Sequence, residues 1–183
     1  MKILILSLSA NPESLSRRAA GEFQRMLDSA KVPADLVDIR SLPPIWVDGR
    51  DLEEYPKEYA KLNEAVAAAS GIVIFMPIYC YTVSSPAKTI SEVIGDALTR
   101  KPVAFVTAAG SLRSHLAVRD LMASMSFEQE TICFPKTIQV TSEDFSSVKK
   151  LKKSAKGRLA TLATEFPGFV RAIAGFVKTH PGN

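Results

Sequence analysis

The sequence predicts a three-layer α/β fold in which helices cover both faces of a doubly wound parallel sheet. Short apolar runs, such as residues 3–6 and 71–76, have the composition of strands buried on both faces. Amphipathic segments at helical spacing follow these runs in regular alternation. Since strands that alternate with helices of this length require right-handed crossovers, a parallel sheet follows.

The expected elements are five strands and five helices within one domain spanning residues 1–183. The predicted strands span residues 3–6, 34–39, 71–76, 103–106 and 132–140, and the predicted helices span residues 15–30, 59–69, 87–98, 112–125 and 148–164. Pro135 interrupts the last predicted strand, which favours an edge position.

Two further segments do not fit the alternation. Residues 41–56 are longer than a normal connection, which indicates a functional flap or an interface element, and Trp46 within them packs on the core in the simplest interpretation. Residues 166–183 form an amphipathic C-terminal tail, which docks either on its own domain or on a second subunit.

Composition limits the classes of partner. The chain is 46% hydrophobic and 23% charged, which excludes global disorder, and its net charge of +4 favours anionic ligands without requiring a polyanion. No nucleic acid partner is expected, and the basic residues at 149–158 are interpreted as the solvated face of a helix. No apolar run approaches the roughly 18 residues that cross a bilayer, so we expect no membrane partner and a cytoplasmic location.

The cysteines and histidines predict neither a metal site nor a disulfide. Cys80 and Cys133 lack the spacing of metal ligands. Cys80 has no neighbouring cation and no partner thiol close in the sequence, so packing is favoured over thiol chemistry. His115 either meets substrate or faces solvent, and solvent is favoured.

The loop after the first strand is rich in groups that bind phosphate. Ser9, Asn11, Ser14 and Ser16 lead directly into a helix, whose free amides and dipole attract an anion. From the hydroxyls alone, a capped helix without a ligand is an equal alternative, because such residues are preferred at helix starts. The loop has neither the P-loop spacing nor the dinucleotide fingerprint.

Three loops together resemble the NADPH-dependent FMN reductase family. Residues 7–17, with the sequence S-L-S-A-N-P-E-S-L-S-R, are similar to the family's phosphate loop, S-G-S-L-R-x-x-S-x-N-R, in which Ser9, Ser14 and Arg17 match. Residues 76–88 resemble the family's flavin-ring signature, T-P-E-Y-N-x-S-x-P-x-x-L-K-N. Residues 107–111 resemble the small-residue loop that, in the family, faces the other side of the ring. The matches in the second signature are Pro77, Tyr79 and Lys88.

Several departures from this family pattern lie at positions that contact the ligand. Leu8 and Tyr81 replace glycines, Asn11 replaces an arginine, Ile78 replaces a glutamate and Cys80 replaces an asparagine. These departures affect the phosphate contacts and the ring contacts that the resemblance implies.

The resemblance implies a flavodoxin-like, FMN-binding oxidoreductase that takes electrons from NADPH or NADH. FMN is expected rather than FAD, because nothing in the sequence resembles a site for a second nucleotide. The acceptor would be a small molecule such as free flavin or a quinone, reduced by ping-pong hydride transfer with no catalytic side chain and no metal. The implied cofactor-binding residues are Ser9, Asn11, Ser14, Ser16, Arg17, Pro77, Ile78, Tyr79, Cys80, Tyr81, Ala109, Gly110 and Ser111.

The resemblance also implies a co-substrate site and self-association. Arg113 is the candidate for the phosphate of the nicotinamide nucleotide, and a solvated arginine is its alternative. A homodimer or homotetramer is expected, with contacts at the apolar faces near residues 90–94 and 169–176.

Two other functions remain open. The chain could be a flavodoxin-like electron carrier without a nicotinamide site, in which Tyr81 and the altered loops cover the ring. It could also be a cofactor-free regulatory relative, because a fold does not determine a function.

Overall fold

The computed structural model describes residues 1–179 and is built around one parallel sheet. The strands in this part of the chain are β1 Ile3–Ser7, β2 Ala34–Asp38, β3 Gly71–Tyr79, β4 Thr82–Val83, β5 Pro102–Ala108, β6 Ile132–Cys133 and β7 Ile138–Val140. The strand order is β2-β1-β3-β5-β6, with β7 also beside β5. The pairing of β3 with β4 is antiparallel, and the other pairings are parallel.

This topology confirms the predicted doubly wound, flavodoxin-like fold class and corrects the number of strands. The sheet has seven strands rather than five. The predicted strand at 132–140 is divided into β6 and β7, because Pro135 has no N–H to donate to a sheet and interrupts the pairing at this edge. The short β4 is the return strand of a hairpin that sequence patterning did not predict.

Within residues 1–179, five helices cover the two faces of the sheet. They are α1 Leu15–Ser29, α2 Lys57–Ala68, α3 Ser85–Val93, α4 Arg119–Glu128 and α5 Lys153–Thr179. Helices α1 and α5 pack on one face, and α2, α3 and α4 pack on the other. Alternate strand residues point to opposite faces, so Ile3 and Ile5 enter the first core while Leu4 and Leu6 enter the second.

The end of the chain differs from the prediction. Helix α5 begins at Lys153 rather than at residue 148, so Lys149 and Lys150 lie in the preceding loop and not on a helix face. The expected tail is part of α5 through Thr179, and Phe166 and Val170 are buried in the core of their own domain. The remaining tail residues, 180–183, lie outside the described residues.

Three other local expectations are corrected by the packing. Ile90 and Ile94 are each 1% exposed, so this apolar face is not available for subunit contact. Trp46 is 91% exposed and does not pack on the core. The helix predicted at 112–125 starts only at Arg119, after a short 3-10 turn at Leu112–Ser114.

Candidate functional site

The carboxyl ends of β1, β3, β5 and β7 surround a cavity of about 290 Å³. The strand order reverses between β1 and β3, and open parallel sheets bind ligands at this switch point. Larger cavities of about 530 and 610 Å³ lie beside α5, and one of about 400 Å³ lies between α3 and α4, all away from the switch point. The cavity is lined by Ser9, Asn11, Glu13, Ser14, Leu15, Pro77, Ile78, Tyr79, Ala108, Ala109, Gly110 and Ser142.

The first loop is ordered by its own polar side chains. Ser14 caps α1, because its Oγ accepts a hydrogen bond from the Arg17 amide at 3.2 Å, as the sequence predicts. The Ser14 and Ser16 hydroxyls are 2.8 Å apart. Asn11 accepts a bond from the Glu13 amide at 2.8 Å. The loop therefore presents hydroxyls at the start of a helix whose first amides lack intrahelical partners.

Leu8 shows how the chain accommodates one departure from the family pattern. Its side chain is 2% exposed and packs in the core formed with α2, α3 and α4. The Leu8 amide donates to Phe75 O at 2.7 Å, and the Leu8 carbonyl accepts a bond from Ser84 Oγ at 3.1 Å. The leucine therefore joins the first two loops without filling the cavity.

The second loop is a tight hairpin between β3 and β4. Tyr79 pairs with Thr82, and the two residues between them, Cys80 and Tyr81, have φ angles of 49° and 60°. Two successive positive φ angles are typical of a hairpin turn in which Asn-Gly is preferred. Tyr79 lines the cavity, whereas Cys80 and Tyr81 form the exposed tip and do not.

The third loop forms a wall without bulky side chains. Ala108, Ala109 and Gly110 line the cavity, and a Cβ placed on Gly110 would meet no atom within 4 Å. The Ala109 amide donates to Val140 O at 3.0 Å, which fixes this wall to β7. The cavity is therefore open on the side where a flat ligand could approach.

Arg17 is held outside the cavity by a carboxylate at the end of β2. Its Nε pairs with Asp38, which also binds Arg40. Burial raises the pKa of Asp38, but hydrogen bonds from Arg40 and Arg17 outweigh this effect and lower the pKa to about 2. The Asp38 carboxylate is therefore ionised at neutral pH and competes with any anion for Arg17.

Glu13 brings a negative charge to the rim of the cavity. Its carboxylate binds Lys149 and lies 3.2 Å from the Arg18 guanidinium. A hydrogen bond from Lys149, assisted by the positive charges of Lys149 and Arg18, lowers the pKa of Glu13. Glu13 is therefore ionised, and its charge is shared between two cations.

The structure brings part of the predicted site together. Ser9, Asn11, Ser14, Pro77, Ile78, Tyr79, Ala109 and Gly110 line the same cavity. The predicted residues that do not line it are Ser16, Arg17, Cys80, Tyr81, Ser111 and Arg113. Ser111 and Arg113 are exposed and follow the small-residue wall.

Sequence reasoning missed Glu13, Leu15 and Ser142 as lining residues. Ser142 follows the carboxyl end of β7, so a search of every strand end would have found it. The sequence-based argument used only the loops after β1, β3 and β5.

Among residues 1–179, no cluster of histidine, cysteine or acidic side chains has an arrangement that could hold a metal ion. His115 is exposed, with Nδ1 3.1 Å from Leu112 O, and it does not line the cavity.

Within residues 1–179, no helix has the length and apolar character needed to cross a bilayer.

The fold and this site define a flavodoxin-like, nucleotide-binding class of protein. Residues 1–144 match the model of the family described as NADPH-dependent FMN reductase. The chain belongs to this family. Membership confirms the flavoenzyme class, with FMN as cofactor and NAD(P)H as co-substrate.

Individual relatives are distant. The chain is 23% identical to an NAD(P)H-dependent FAD/FMN reductase from Geobacillus thermodenitrificans strain NG80-2 over 137 residues, which cover 74% of each chain. An apo NADH:FMN oxidoreductase superimposes with a TM-score of 0.70 at 18% identity, over 90% of this chain and 87% of that one. A flavodoxin from the domain Archaea superimposes with a TM-score of 0.63 at 12% identity, over 93% and 99%. At these identities the solved structures show the fold alone.

Proposed function

We propose that the cavity at the switch point holds FMN and that NADPH or NADH and a small acceptor use its open side in turn. The observation that carries this proposal is the wall at 108–110, which has no side chain larger than a methyl group and lines the cavity beside the carboxyl end of β3. Free flavin and quinones are flat acceptors that such an opening can admit.

The residues present fit the phosphate end of FMN. The Ser9 and Ser14 hydroxyls and the first amides of α1 lie where a phosphate binds at a helix start. Asn11 can add a side-chain donor at the same end. Ser16 acts through Ser14, because its buried hydroxyl is hydrogen-bonded to the Ser14 hydroxyl. Arg17 supplies positive charge through the guanidinium donors that do not bind Asp38.

The hairpin and the small-residue wall fit the ring end. Ile78 is an apolar contact, and its strand supplies backbone groups for polar contacts. When bound, FMN supplies the hydride chemistry. The chain's part is to orient the flavin and leave one side accessible, with Arg113 beyond the wall as the candidate contact for the co-substrate phosphate.

The test is anaerobic mixing of the yellow holoprotein with NADPH or NADH, followed by absorbance near the flavin band. We expect bleaching, and steady-state turnover with several quinone concentrations should give parallel double-reciprocal lines. Persistence of the oxidised spectrum with both nucleotides would contradict the proposed enzyme.

A flavodoxin-like electron carrier remains the second candidate because of the hairpin tip. Tyr81 is 66% exposed at a position where the family has glycine, so its ring is free to cover a bound flavin. In the mixing experiment, wild type that stays yellow while Tyr81→Gly bleaches would favour the carrier. Equal bleaching by both proteins would exclude it.

The assembly and location belong to the same proposal. We expect a cytoplasmic homodimer or homotetramer without a nucleic acid or membrane partner. The exposed Trp46 and Phe176 are the apolar side chains that we expect at a subunit contact. Light scattering of the purified protein measures the assembly, and a monomer at working concentration would contradict it.

A further inference from the structure

A cavity of about 530 Å³ lies between β7 and α5, outside the candidate flavin cavity. We call it the edge cavity, because within residues 1–179 the strand β7 pairs only with β5. The two cavities share no lining residue, although the turn after β7 contributes to both. Ser142 lines the flavin cavity, and its neighbours Thr141 and Glu143 line the edge cavity. The volume is within the range of about 300–1,000 Å³ that is usual for small-ligand sites.

The inner wall of the edge cavity is apolar. Phe134, Ile138 and Leu162 line it and are 6%, 8% and 2% exposed. Leu112, which also lines the cavity, is 69% exposed and lies at its open side. A ligand with an apolar body would cover Leu112 and complete the packing of the inner wall, so these side chains favour such a ligand.

The charged side chains of the edge cavity are more acidic than basic. Three carboxylates and two cationic groups line it, and they belong to Glu143, Asp144, Glu165, Lys136 and Arg158. Lys136 Nζ lies 3.1 and 2.9 Å from the two Glu165 oxygens, and Arg158 Nη2 lies 2.8 Å from Asp144 Oδ1. Both cationic groups are therefore already paired.

Glu143 is the carboxylate that remains. Within residues 1–179, no basic group lies within ion-pair distance of it. Its unbalanced negative charge attracts a cation to the cavity and repels an anion.

Gln139 adds a second acceptor. Its Nε2 donates to Ser111 O at 2.7 Å, whereas its Oε1 is buried and has no hydrogen-bond partner within residues 1–179. The large majority of buried polar atoms in folded proteins have a partner. Gln139 lines the edge cavity, and the terminal torsion of its side chain has a broad minimum, so a small rotation can present the oxygen to a donor on a ligand.

We infer that the edge cavity binds a small apolar molecule that carries a protonated amine. The apolar wall holds the body of the ligand. The ammonium group, which has three donors and no acceptor, donates to Glu143, with Gln139 Oε1 as a second acceptor. The unpaired carboxylate disfavours phosphate-bearing ligands, so this site differs in chemistry from the flavin cavity. The inference does not depend on the proposed function, because it uses no residue of the flavin cavity.

The test is a ligand-observed NMR titration of the FMN-loaded protein with tryptamine, an indole that carries a protonated amine. We expect a dissociation constant in the millimolar range, consistent with the binding energy available to so few atoms. Tryptophol, which has a hydroxyl in place of the amine, should bind about two- to fivefold more weakly. Indole-3-acetate, which is an anion, should bind about tenfold more weakly or not at all.

Thr161 and Thr164 offer a matched pair of variants. Both are exposed residues of α5 whose hydroxyls donate to the carbonyl four residues earlier, at 3.1 and 3.0 Å, but Thr164 does not line the edge cavity and Thr161 does. Thr161→Arg should weaken tryptamine binding by about tenfold or more, because its side chain adds bulk and positive charge to the cavity. Thr164→Arg adds the same charge to the same helix and should bind tryptamine within about twofold of wild type.

Glu143→Gln tests the charge with little change of shape. It should weaken tryptamine binding about two- to fivefold and leave the affinity for tryptophol unchanged. Glu64→Gln is the control, because Glu64 is an exposed residue of α2 on the other face of the sheet. It should change neither affinity.

Three results would overturn the inference. They are no binding of tryptamine to wild type, binding of indole-3-acetate as tight as that of tryptamine, and equal tryptamine affinities of Thr161→Arg and Thr164→Arg. No nicotinamide nucleotide is present in the titration, so its outcome is separate from flavin bleaching. A protein that does not retain FMN is titrated in the same way, because the two threonine variants differ only at the edge cavity.

Discussion

At the residue scale, Arg17 shows how one side chain is divided between two roles. It follows the phosphate loop and matches the family pattern, yet its Nε pairs with Asp38 at the end of β2. The guanidinium has further donors, so it can hold Asp38 and still approach a phosphate at the start of α1.

We predict that Arg17→Ala weakens FMN binding by about one to two decades. The variant removes one charge-assisted hydrogen bond, which contributes roughly 1.5–3 kcal/mol. Fluorescence titration of the apoprotein with FMN measures the change.

Arg40→Ala is the matched control, because Arg40 binds the same carboxylate but lies outside the loop. It should leave FMN affinity within about twofold of wild type. An Arg17→Ala protein that binds FMN as tightly as wild type would remove Arg17 from the site.

The residue scale also shows a limit of sequence reasoning. The helix cap formed by Ser14 could be predicted, because a hydroxyl immediately before an amphipathic helix is a local signal. The pairing of Arg17 with Asp38 could not, since it depends on the register that places β2 beside β1.

At the element scale, the hairpin that joins β3 to β4 holds two non-glycine residues in a left-handed conformation. Cys80 and Tyr81 have positive φ angles, which cost about 1–2 kcal/mol for a residue with a Cβ. This strain lies directly beside the candidate ring site, because Tyr79 lines the cavity.

Replacing Tyr81 with glycine should raise the free energy of unfolding by about 1 kcal/mol, because glycine adopts positive φ without a steric penalty. Urea denaturation measures the change. Thr82→Gly, one residue further in β4 and without a positive φ, should lower the stability instead. A loss of stability in Tyr81→Gly would show that the tyrosine ring makes contacts that outweigh the strain.

Most elements could be predicted from periodicity, but their ends could not. Lys149 has a φ of 55° and lies within a turn in which the Ser146 amide donates to Lys150 O at 2.8 Å. This turn, with the bridge between Phe145 and Leu151, delays the start of α5 to Lys153. The helical pattern of the sequence continues across the turn and therefore did not reveal it.

At the scale of the whole molecule, α5 closes the first core by packing against the start of the central strand. A Cβ placed on Gly71 would lie 2.5 Å from Val170 Cγ2 and 3.3 Å from the Phe166 ring. Both partners are buried, so the contact has no space for an added methyl group. The sheet and the helix could move apart only by opening the core.

Gly71→Ala is therefore expected to lower the free energy of unfolding by about 1–3 kcal/mol through overpacking. Val170→Ala in the same chain should recover part of this loss, so the two changes should couple in a double-mutant cycle. Gly157→Ala on α5 meets no atom within 4 Å and should be neutral or stabilising. Additive losses in the double variant would contradict the close approach of β3 and α5.

The sequence by itself determined the α/β alternation, the three polar strand-end loops and the resemblance to the FMN reductase family. These features depend on residues that are close along the chain, such as an apolar run followed by a hydroxyl-rich loop. Only the tertiary structure decided that α1 and α5 lie on one face of the sheet, that Ile90 and Ile94 are internal, and that a basic groove forms between α1 and the loop before α5. The groove brings Arg18 beside Lys149 across the fold, and no local pattern encodes a contact between segments so far apart in the sequence.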